Sequence, residues 1–304
     1  MSKTGIVIQS TGKWYKVSSN GEVIDCRIPG KFRLRKSVDT NPVAVGDYVD
    51  FTLGDDNKGM IEEIHPRKNF IPRKATRSDK EEQILVANID RAWVVQSIKM
   101  PALKRGFIDR FLVACEAYEI SAGVIINKTD LLDKRQTGEL DTVTDTYRSL
   151  DYPVLHTSIY KPDTIGELKH ELSGKTSVLI GHSGVGKTSL INELNPNMNL
   201  VIGDVSSYSE KGKHTTTSAR LIPVESNSFI VDTPGIKEFG LVNIEPYELS
   251  LYFPEMREPR QYCRFNNCTH SHEPKCGVIA AFERGEIDPE RYQSYLNMLD
   301  GLEA

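Results

Sequence analysis

The sequence predicts a multidomain α/β chain with three parts in order: a small β-barrel, a mostly parallel sheet covered by helices, and a helical C-terminal segment that carries cysteines. Three observations predict it. Short β-rich runs broken by Gly, Asn, Pro and Asp fill residues 1 to about 70. From about residue 84, near-continuous apolar runs alternate with helical ones. Beyond about 245 the chain turns polar and gathers three of its five cysteines within 14 residues.

The length of 304 residues, with 38% hydrophobic and 26% charged side chains, fits two or three globular domains. No apolar run is long enough to cross a bilayer, and the start "MSKTGIVIQS" has no signal-peptide core. Ser2 stands where myristoylation needs Gly. A cytoplasmic protein without membrane contact is therefore expected, and a monomer is the expected state. The net charge of −4 divides unevenly: residues 1–80 hold 15 Lys+Arg and 10 Asp+Glu, and the remainder holds 23 and 32. A basic front on an acidic body suits a polyanionic partner.

The first part, residues 1–70, contains "GIVIQS", "WYKVSS", "EVIDCRI", "DYVDFTL" and "GMIEEI". Five such runs suggest a small barrel of the OB type. Arg27, Lys31, Arg33, Arg35 and Lys36 cluster after the third run, with Trp14, Tyr15 and Phe32 nearby. Cations beside aromatics on a small barrel point to nucleic-acid contact, which makes these five the candidate RNA-binding residues. Residues 71–83, polar, charged and Pro-containing, read as a linker.

In residues 84–244 the runs "RAWVVQSI", "AGVIIN", "PVLHTS", "TSVLIG" and "SFIVDT" are buried-strand patterns. "GFIDRFLVACEAYEI" is helical, and Cys115 on its apolar face reads as core packing.

Gly181–Thr188 matches G-x-x-x-x-G-K-[ST] between a strand and a helical run. Gly181, His182, Ser183, Gly184, Val185 and Gly186 form the loop whose backbone N–H groups would close on phosphates, with Ser189 following. Lys187 would reach the β and γ oxygens, and the Thr188 hydroxyl would ligate Mg²⁺. "DTPG", Asp232–Gly235, ends a later strand. Asp232 would hold Mg²⁺ there, and the Gly235 N–H would meet the γ-phosphate. Between them lies "KGKHTTTSARL", in which one of Thr215–Thr217, with Thr216 the first candidate, would close over Mg²⁺ as a first switch.

"NKTD", comprising Asn127, Lys128, Thr129 and Asp130, also ends a strand. The Asp130 carboxylate can accept from guanine N1–H and N2–H₂ and would repel adenine N1, so GTP and GDP are expected rather than ATP. Ser158 in "HTS" would support the base from another side. The loop order is base, base support, phosphate, first switch, second switch. The usual order places the phosphate loop first, so the domain is read as a circularly permuted P-loop GTPase.

In the last part, residues 245–304, "CRFNNCTHSHEPKC" presents Cys263, Cys268, His270 and Cys276. Three thiolates and an imidazole suit tetrahedral, structural Zn²⁺. Spacing alone leaves His272 as an alternative to His270. "DPER" opens the final helix with Asp288 as cap and Pro289 in the first turn.

With "NKTD", "GHSGVGKTS", "HTTT", "DTPG" and the Cys/His cluster in this order, the chain resembles the bacterial small-ribosomal-subunit biogenesis GTPase A family, the RsgA-like circularly permuted GTPases. The resemblance runs over essentially the whole chain. It implies an OB domain, a permuted GTPase domain and a zinc domain, with His270 as the zinc ligand. It also implies binding to the 30S subunit and its 16S rRNA, a GTPase strongly stimulated by that subunit, and a role late in its maturation. Thr188 stands where the family more often has Ser, and the hydroxyl is kept.

Ile236 occupies the place where many GTPases put a water-orienting Gln, so unassisted hydrolysis is expected to be slow. His214, beside the switch threonines, is the candidate to assist, alongside Lys187, Thr216 and Gly235. Gly184 stands where a K⁺-holding Asn would be, which gives that route less support. The rival reading is an RNA-binding protein in which GTP only sets affinity.

Overall fold

The computed structural model describes residues 2–11, 13–29, 42–54, 56–73, 83–195, 219–224, 228–232 and 244–303. Alternation builds the N-terminal barrel. In β2 (Tyr15–Ser19), Tyr15, Val17 and Ser19 point in and Lys16 points out. Asn20 and Gly21, both at positive φ, turn the chain into β3 (Glu22–Arg27). β1 (Lys3–Ser10) pairs with both β2 and β4 (Tyr48–Leu53), and β5 (Gly59–Ile64) pairs with β4 and β3, so the sheet closes. Val7, Tyr15, Val17, Cys26, Phe51 and Ile61 fill it. A Cβ on Gly59 would lie 2.3 Å from Cys26 Sγ, so the β3–β5 crossing requires glycine.

The expected linker at 71–83 is in part strand. β6 (Phe70–Arg73) pairs antiparallel with β7 (Gln83–Ala87), and residues 74–82 lie outside the described residues. The charge and proline of this stretch conceal the apolar positions: Ile71 and Val86 are buried in the core of the following domain. The barrel is pinned there by polar contacts. Asp47, fully buried, accepts from Arg67 Nε at 2.7 Å and Nη2 at 2.8 Å and from the Ala44 N–H at 2.7 Å. Gln9 of β1 pairs with Arg220, which joins barrel and central sheet into one hydrogen-bonded surface.

The central sheet runs β10 (Val154–His156), β9 (Ala122–Asn127), β8 (Arg91–Ser97), β11 (Thr176–Ile180), β13 (Ser228–Asp232), β12 (Arg220–Val224). The first five are parallel and β12 is antiparallel. β12 is a strand that Pro223 hid from sequence reading. Helices α1 (Arg105–Ala117) and α2 (Lys134–Arg148) cover one face, where Ala92 and Val94 meet Ile108, Phe111 and Leu112. Helices α3 (Pro162–Leu172) and α4 (Lys187–Leu194) cover the other, where Trp93 and Val95 meet Leu168 and Leu190. Gly123 makes room for Trp93, since a Cβ there would lie 2.5 Å from the indole. Cys115 is fully buried in this core, and burial pushes its thiol well up, so it packs as an apolar group.

The C-terminal unit consists of three 3₁₀ turns, α5 (Gly277–Glu283) and α6 (Pro289–Glu303). Asp288 caps α6, accepting from the Glu290 and Arg291 N–H groups at 2.9 and 3.0 Å. Its core of Leu249, Phe253, Met256, Val278, Tyr295 and Leu299 includes Val113 of α1. A buried ion network completes the joint. Arg291 donates to Asp109 Oδ1 of α1 and to Glu255 Oε1, both at 2.8 Å, and lies over the Phe253 ring. Asp109 Oδ1 also accepts from Tyr147 of α2 at 2.8 Å. Among the described residues, no helix is long and apolar enough to cross a membrane.

Removing one partner of a buried pair strands the other charge. Arg291→Ala should therefore lower unfolding stability by about 3–5 kcal/mol, read as a fall in the urea midpoint. Arg284→Ala, in the exposed pair with Glu286, should leave that midpoint in place.

Candidate functional site

The loops singled out in the sequence leave the sheet at the C-terminal ends of β9, β10, β11 and β13, the edge where open α/β sheets bind ligands. The phosphate loop joins β11 to α4. Gly184 and Gly186 adopt φ of 85° and 95°, which side chains rarely tolerate. A Cβ on Gly181 would lie 2.3 Å from the Val95 carbonyl, and one on Gly186 would lie 2.4 Å from Asn127 Nδ2. Lys187 Nζ donates to the Gly181 and His182 carbonyls at 2.6 and 2.8 Å, which holds the ammonium across the loop mouth. Ser183 and Gly184 are exposed, and Thr188 and Ser189 are half-buried in the first turn of α4.

The base loop is bonded directly to this loop. Buried Asn127 donates from Nδ2 to the Val185 carbonyl at 2.9 Å and accepts at Oδ1 from Thr157 Oγ1 at 2.9 Å. Lys128, at a left-handed φ of 63°, sends Nζ to the Gly184 carbonyl at 2.5 Å and the Met100 carbonyl at 2.7 Å. Its stem therefore spans from one loop to the other. Thr129 donates through its N–H and Oγ1 to the Thr157 carbonyl, both at 3.2 Å. Asp130 is exposed, and its Oδ1 accepts from Ser158 Oγ at 2.6 Å. Asn127 and Lys128 thus reach the phosphate loop directly, while Thr129 and Asp130 are bonded to Thr157 and Ser158. Sequence reasoning missed Thr157, which orients Asn127, although it stands in the same "HTS" that gave Ser158.

The His182 ring packs against Phe107 of α1, with centroids 4.2 Å apart and a buried, unpartnered Nε2. Burial, with Lys104 and Lys187 nearby, pushes its pKa down, so the imidazole is neutral. Its main chain is the part that serves the loop. Asp232 closes β13 beside the phosphate-loop strand, where Val178 pairs with Val231. Thr216, His214, Gly235 and Ile236 lie outside the described residues.

In the C-terminal unit, one ligand atom from each of Cys263, Cys268, His270 and Cys276 lies within 4.8 Å of the others. His270 Nδ1 is 3.4 Å from Cys263 Sγ and 3.3 Å from Cys276 Sγ, while Nε2 is 3.0 Å from the buried Ser250 Oγ. Burial drives His270 down to about 4, so it is a neutral imidazole. Nε2–H donating to Ser250 leaves the Nδ1 lone pair among the sulfurs. Burial pushes the Cys268 and Cys276 thiols up, so as thiolates they need a cation among them. The Gly277 and Ile279 N–H groups point at sulfur, at 3.3 and 3.4 Å. This donor set fits a tetrahedral thiolate-binding metal. His272 is exposed and faces Ser271 at 2.8 Å, away from the cluster. The peptide that turns here is held by Tyr292 and Tyr295, which donate to the His270 and Thr269 carbonyls at 2.7 and 2.6 Å.

On the barrel, the Arg27 guanidinium lies 3.7 Å from the centre of the Trp14 ring, and Lys58 stands 5.2 Å from it. Tyr15 is fully buried and belongs to the barrel core instead. Lys31, Phe32, Arg33, Arg35 and Lys36 lie outside the described residues.

Comparison with known proteins agrees with this geometry. Residues 64–242 match the family model for the RsgA GTPase, and residues 4–61 match that for the RsgA N-terminal domain. The small ribosomal subunit biogenesis GTPase RsgA of Phocaeicola vulgatus is 42% identical over 300 residues, covering 98% of this chain and 97% of that protein. The protein of the same name from Flavobacterium johnsoniae is 42% identical over 304 residues, covering 99% and 94%. Among solved structures, YjeQ from Thermotoga maritima superposes with a TM-score of 0.82 at 35% identity, covering 99% of both chains. YloQ, described as a circularly permuted GTPase, gives 0.79 at 30%, covering 100% of this chain and 96% of its own.

Metal analysis of the purified chain should find about one equivalent of a thiolate-preferring divalent ion. His270→Ala should lose it and His272→Ala should keep it. Equal retention by both variants would remove His270 from the ligand set.

Proposed function

The chain belongs to the RsgA GTPase family, and from that premise we propose that it is a GTPase that binds the 30S ribosomal subunit through its 16S rRNA and acts in late maturation of that subunit, hydrolysing GTP to GDP and phosphate. One observation carries the reading. The base loop and the phosphate loop, far apart and reversed in sequence, are tied together by the Asn127–Val185 hydrogen bond. Asp130 and Lys187 are read as the opposite ends of one binding line.

Asp130, held by Ser158, accepts from the guanine N1–H and N2–H₂ edge and disfavours adenine. Asn127 and Lys128 set the floor, and the backbone of Gly181–Gly186 surrounds the phosphates. When triphosphate enters, Lys187 exchanges its two carbonyl partners for β and γ oxygens. Thr188, Thr216 and Asp232 would hold Mg²⁺, which supplies charge neutralisation to the phosphates. The Gly235 N–H meets the γ-phosphate, and His214 orients the attacking water once the ribosome is bound. With Ile236 unable to orient that water, turnover is slow until the subunit is bound.

Arg27 over Trp14 presents a cation on an aromatic surface, which suits stacked and phosphate contacts with RNA. Lys31, Arg33, Arg35 and Lys36, which follow closely in the sequence, would add cations to the same contact. Cys263, Cys268, His270 and Cys276 would hold structural Zn²⁺. The protein works as a cytoplasmic monomer.

Added 30S subunits should raise the GTPase rate by orders of magnitude, measured as phosphate release at fixed GTP. His214→Ala should bind 30S normally and lose most of that stimulation; full stimulated turnover would exclude His214. A rate indifferent to 30S would favour an RNA-binding role in which GTP only sets affinity.

A further inference from the structure

Two loops bound the guanine end of the nucleotide line, but only one has a described role at the face of the base. The Lys128 stem runs from its own loop to the Gly184 carbonyl. A purine with its edge on Asp130 and its phosphates on the 181–188 loop must lie along that stem, with one face on its methylenes. The other described loop fastened to Asp130, residues 157–161, can supply a group to the opposite face.

That loop is fastened to the base reader by a relay. The Tyr160 N–H donates to Ser158 Oγ at 3.1 Å, and the same hydroxyl donates to Asp130 Oδ1 at 2.6 Å. The Lys161 N–H closes the turn on the Ser158 carbonyl at 3.0 Å, and Lys161 Nζ reaches the Thr129 carbonyl at 3.4 Å. These bonds hold the Tyr160 main chain beside the Ser158 hydroxyl that Asp130 accepts from. Its side chain is 76% exposed, the highest exposure of any large hydrophobic residue described. Tyrosine has two side-chain torsions, so it can be laid on a flat partner with little loss of freedom. No hydrogen bond, ion pair or ring contact of the Tyr160 side chain is present among the described residues, so its ring is available for such a partner.

We propose that Tyr160 is a base-stacking residue that covers the face of guanine opposite the Lys128 stem. The inference rests on the guanine reading of Asp130 and adds a second, chemically separate contribution to it. Asp130 reads hydrogen-bond donors on the base edge, so it discriminates among purines. Tyr160 meets a π-face, which every purine has, so it adds affinity without discriminating. A contact of this kind is present equally in the ground state and in the transition state. It should therefore lower KM and leave kcat unchanged.

Base–aromatic stacking is worth about 1–3 kcal/mol per base by alanine substitution. Tyr160→Ala should accordingly weaken GDP binding by about tenfold, measured by titration with a fluorescent GDP analogue. KM for GTP should rise by the same factor with kcat unchanged, and Tyr160→Phe should restore both. The control separates the two readings. Asp130→Asn should move preference from guanosine to xanthosine diphosphate, because an amide donates where the carboxylate accepted. Tyr160→Ala in that background should weaken xanthosine diphosphate by the same tenfold factor. If Asp130→Asn switches preference while Tyr160→Ala changes no affinity, the stacking role is wrong and the guanine reading stands. If Asp130→Asn fails to switch, the guanine reading itself is wrong. Failure of Tyr160→Phe to restore affinity would also overturn stacking, since the phenyl ring keeps the π-face.

Discussion

The structure turns on one buried amide. Asn127 donates to the Val185 carbonyl and accepts from Thr157, so a single side chain fixes three loops that follow three different strands. Each of those strands is parallel to its neighbours and ends at the same edge. The sheet brings the loops within reach, and the amide ties them to one another. Close packing enforces it, because Gly186 leaves no room for a Cβ beside the amide. A buried amide with both ends satisfied is rigid, whereas losing one partner leaves a desolvated polar group behind. Asn127 therefore belongs to the architecture of the site before it belongs to its chemistry.

Helix α1 has the same standing for the rest of the molecule. One side of it lies on the sheet through Ile108, Phe111 and Leu112. Another carries Val113 into the C-terminal core, and Asp109 receives Arg291 and Tyr147. Its first turn places Phe107 against His182. The phosphate loop and the C-terminal unit are thus mounted on one helix of 13 residues. A buried ion network is a poor source of net stability compared with apolar packing, but it is intolerant of misalignment. It fixes the orientation of the C-terminal unit in a way that Val113 alone could not.

Legibility in the sequence followed the length scale of each interaction. Motifs whose chemistry is local, such as Gly181–Thr188, Asn127–Asp130 and the Cys/His run, were readable because the residues that act together are close in the chain. His270 and His272 show the limit. Spacing left both open, and the distinction arises from Ser250 and Tyr292, which come from other parts of the chain. Arg291, Asp109 and Glu255 carried no signal either, since a charged residue in a helical run reads as surface. β6 and β12 were hidden by Pro72 and Pro223. In both cases pairing with a neighbouring strand outweighed a residue that disfavours strand by itself.

The reversed order of the loops has a mechanical consequence that an unpermuted chain would not have. β13 ends at Asp232, and Ile244 is already part of the C-terminal core. Residues 233–243, which include Gly235, connect two anchored points: the edge of the nucleotide sheet and a unit clamped to α1. In the usual order, the segment after the second switch would lead to the next strand of the same sheet. A displacement there would be absorbed within the domain. Here that segment leads along the backbone into the C-terminal unit, where Ile244 belongs to the core. Arg291 and Val113 hold that unit on the helix that also backs the phosphate loop. The permutation therefore makes the stretch after Asp232 the covalent link between the central sheet and a unit fastened to the same helix.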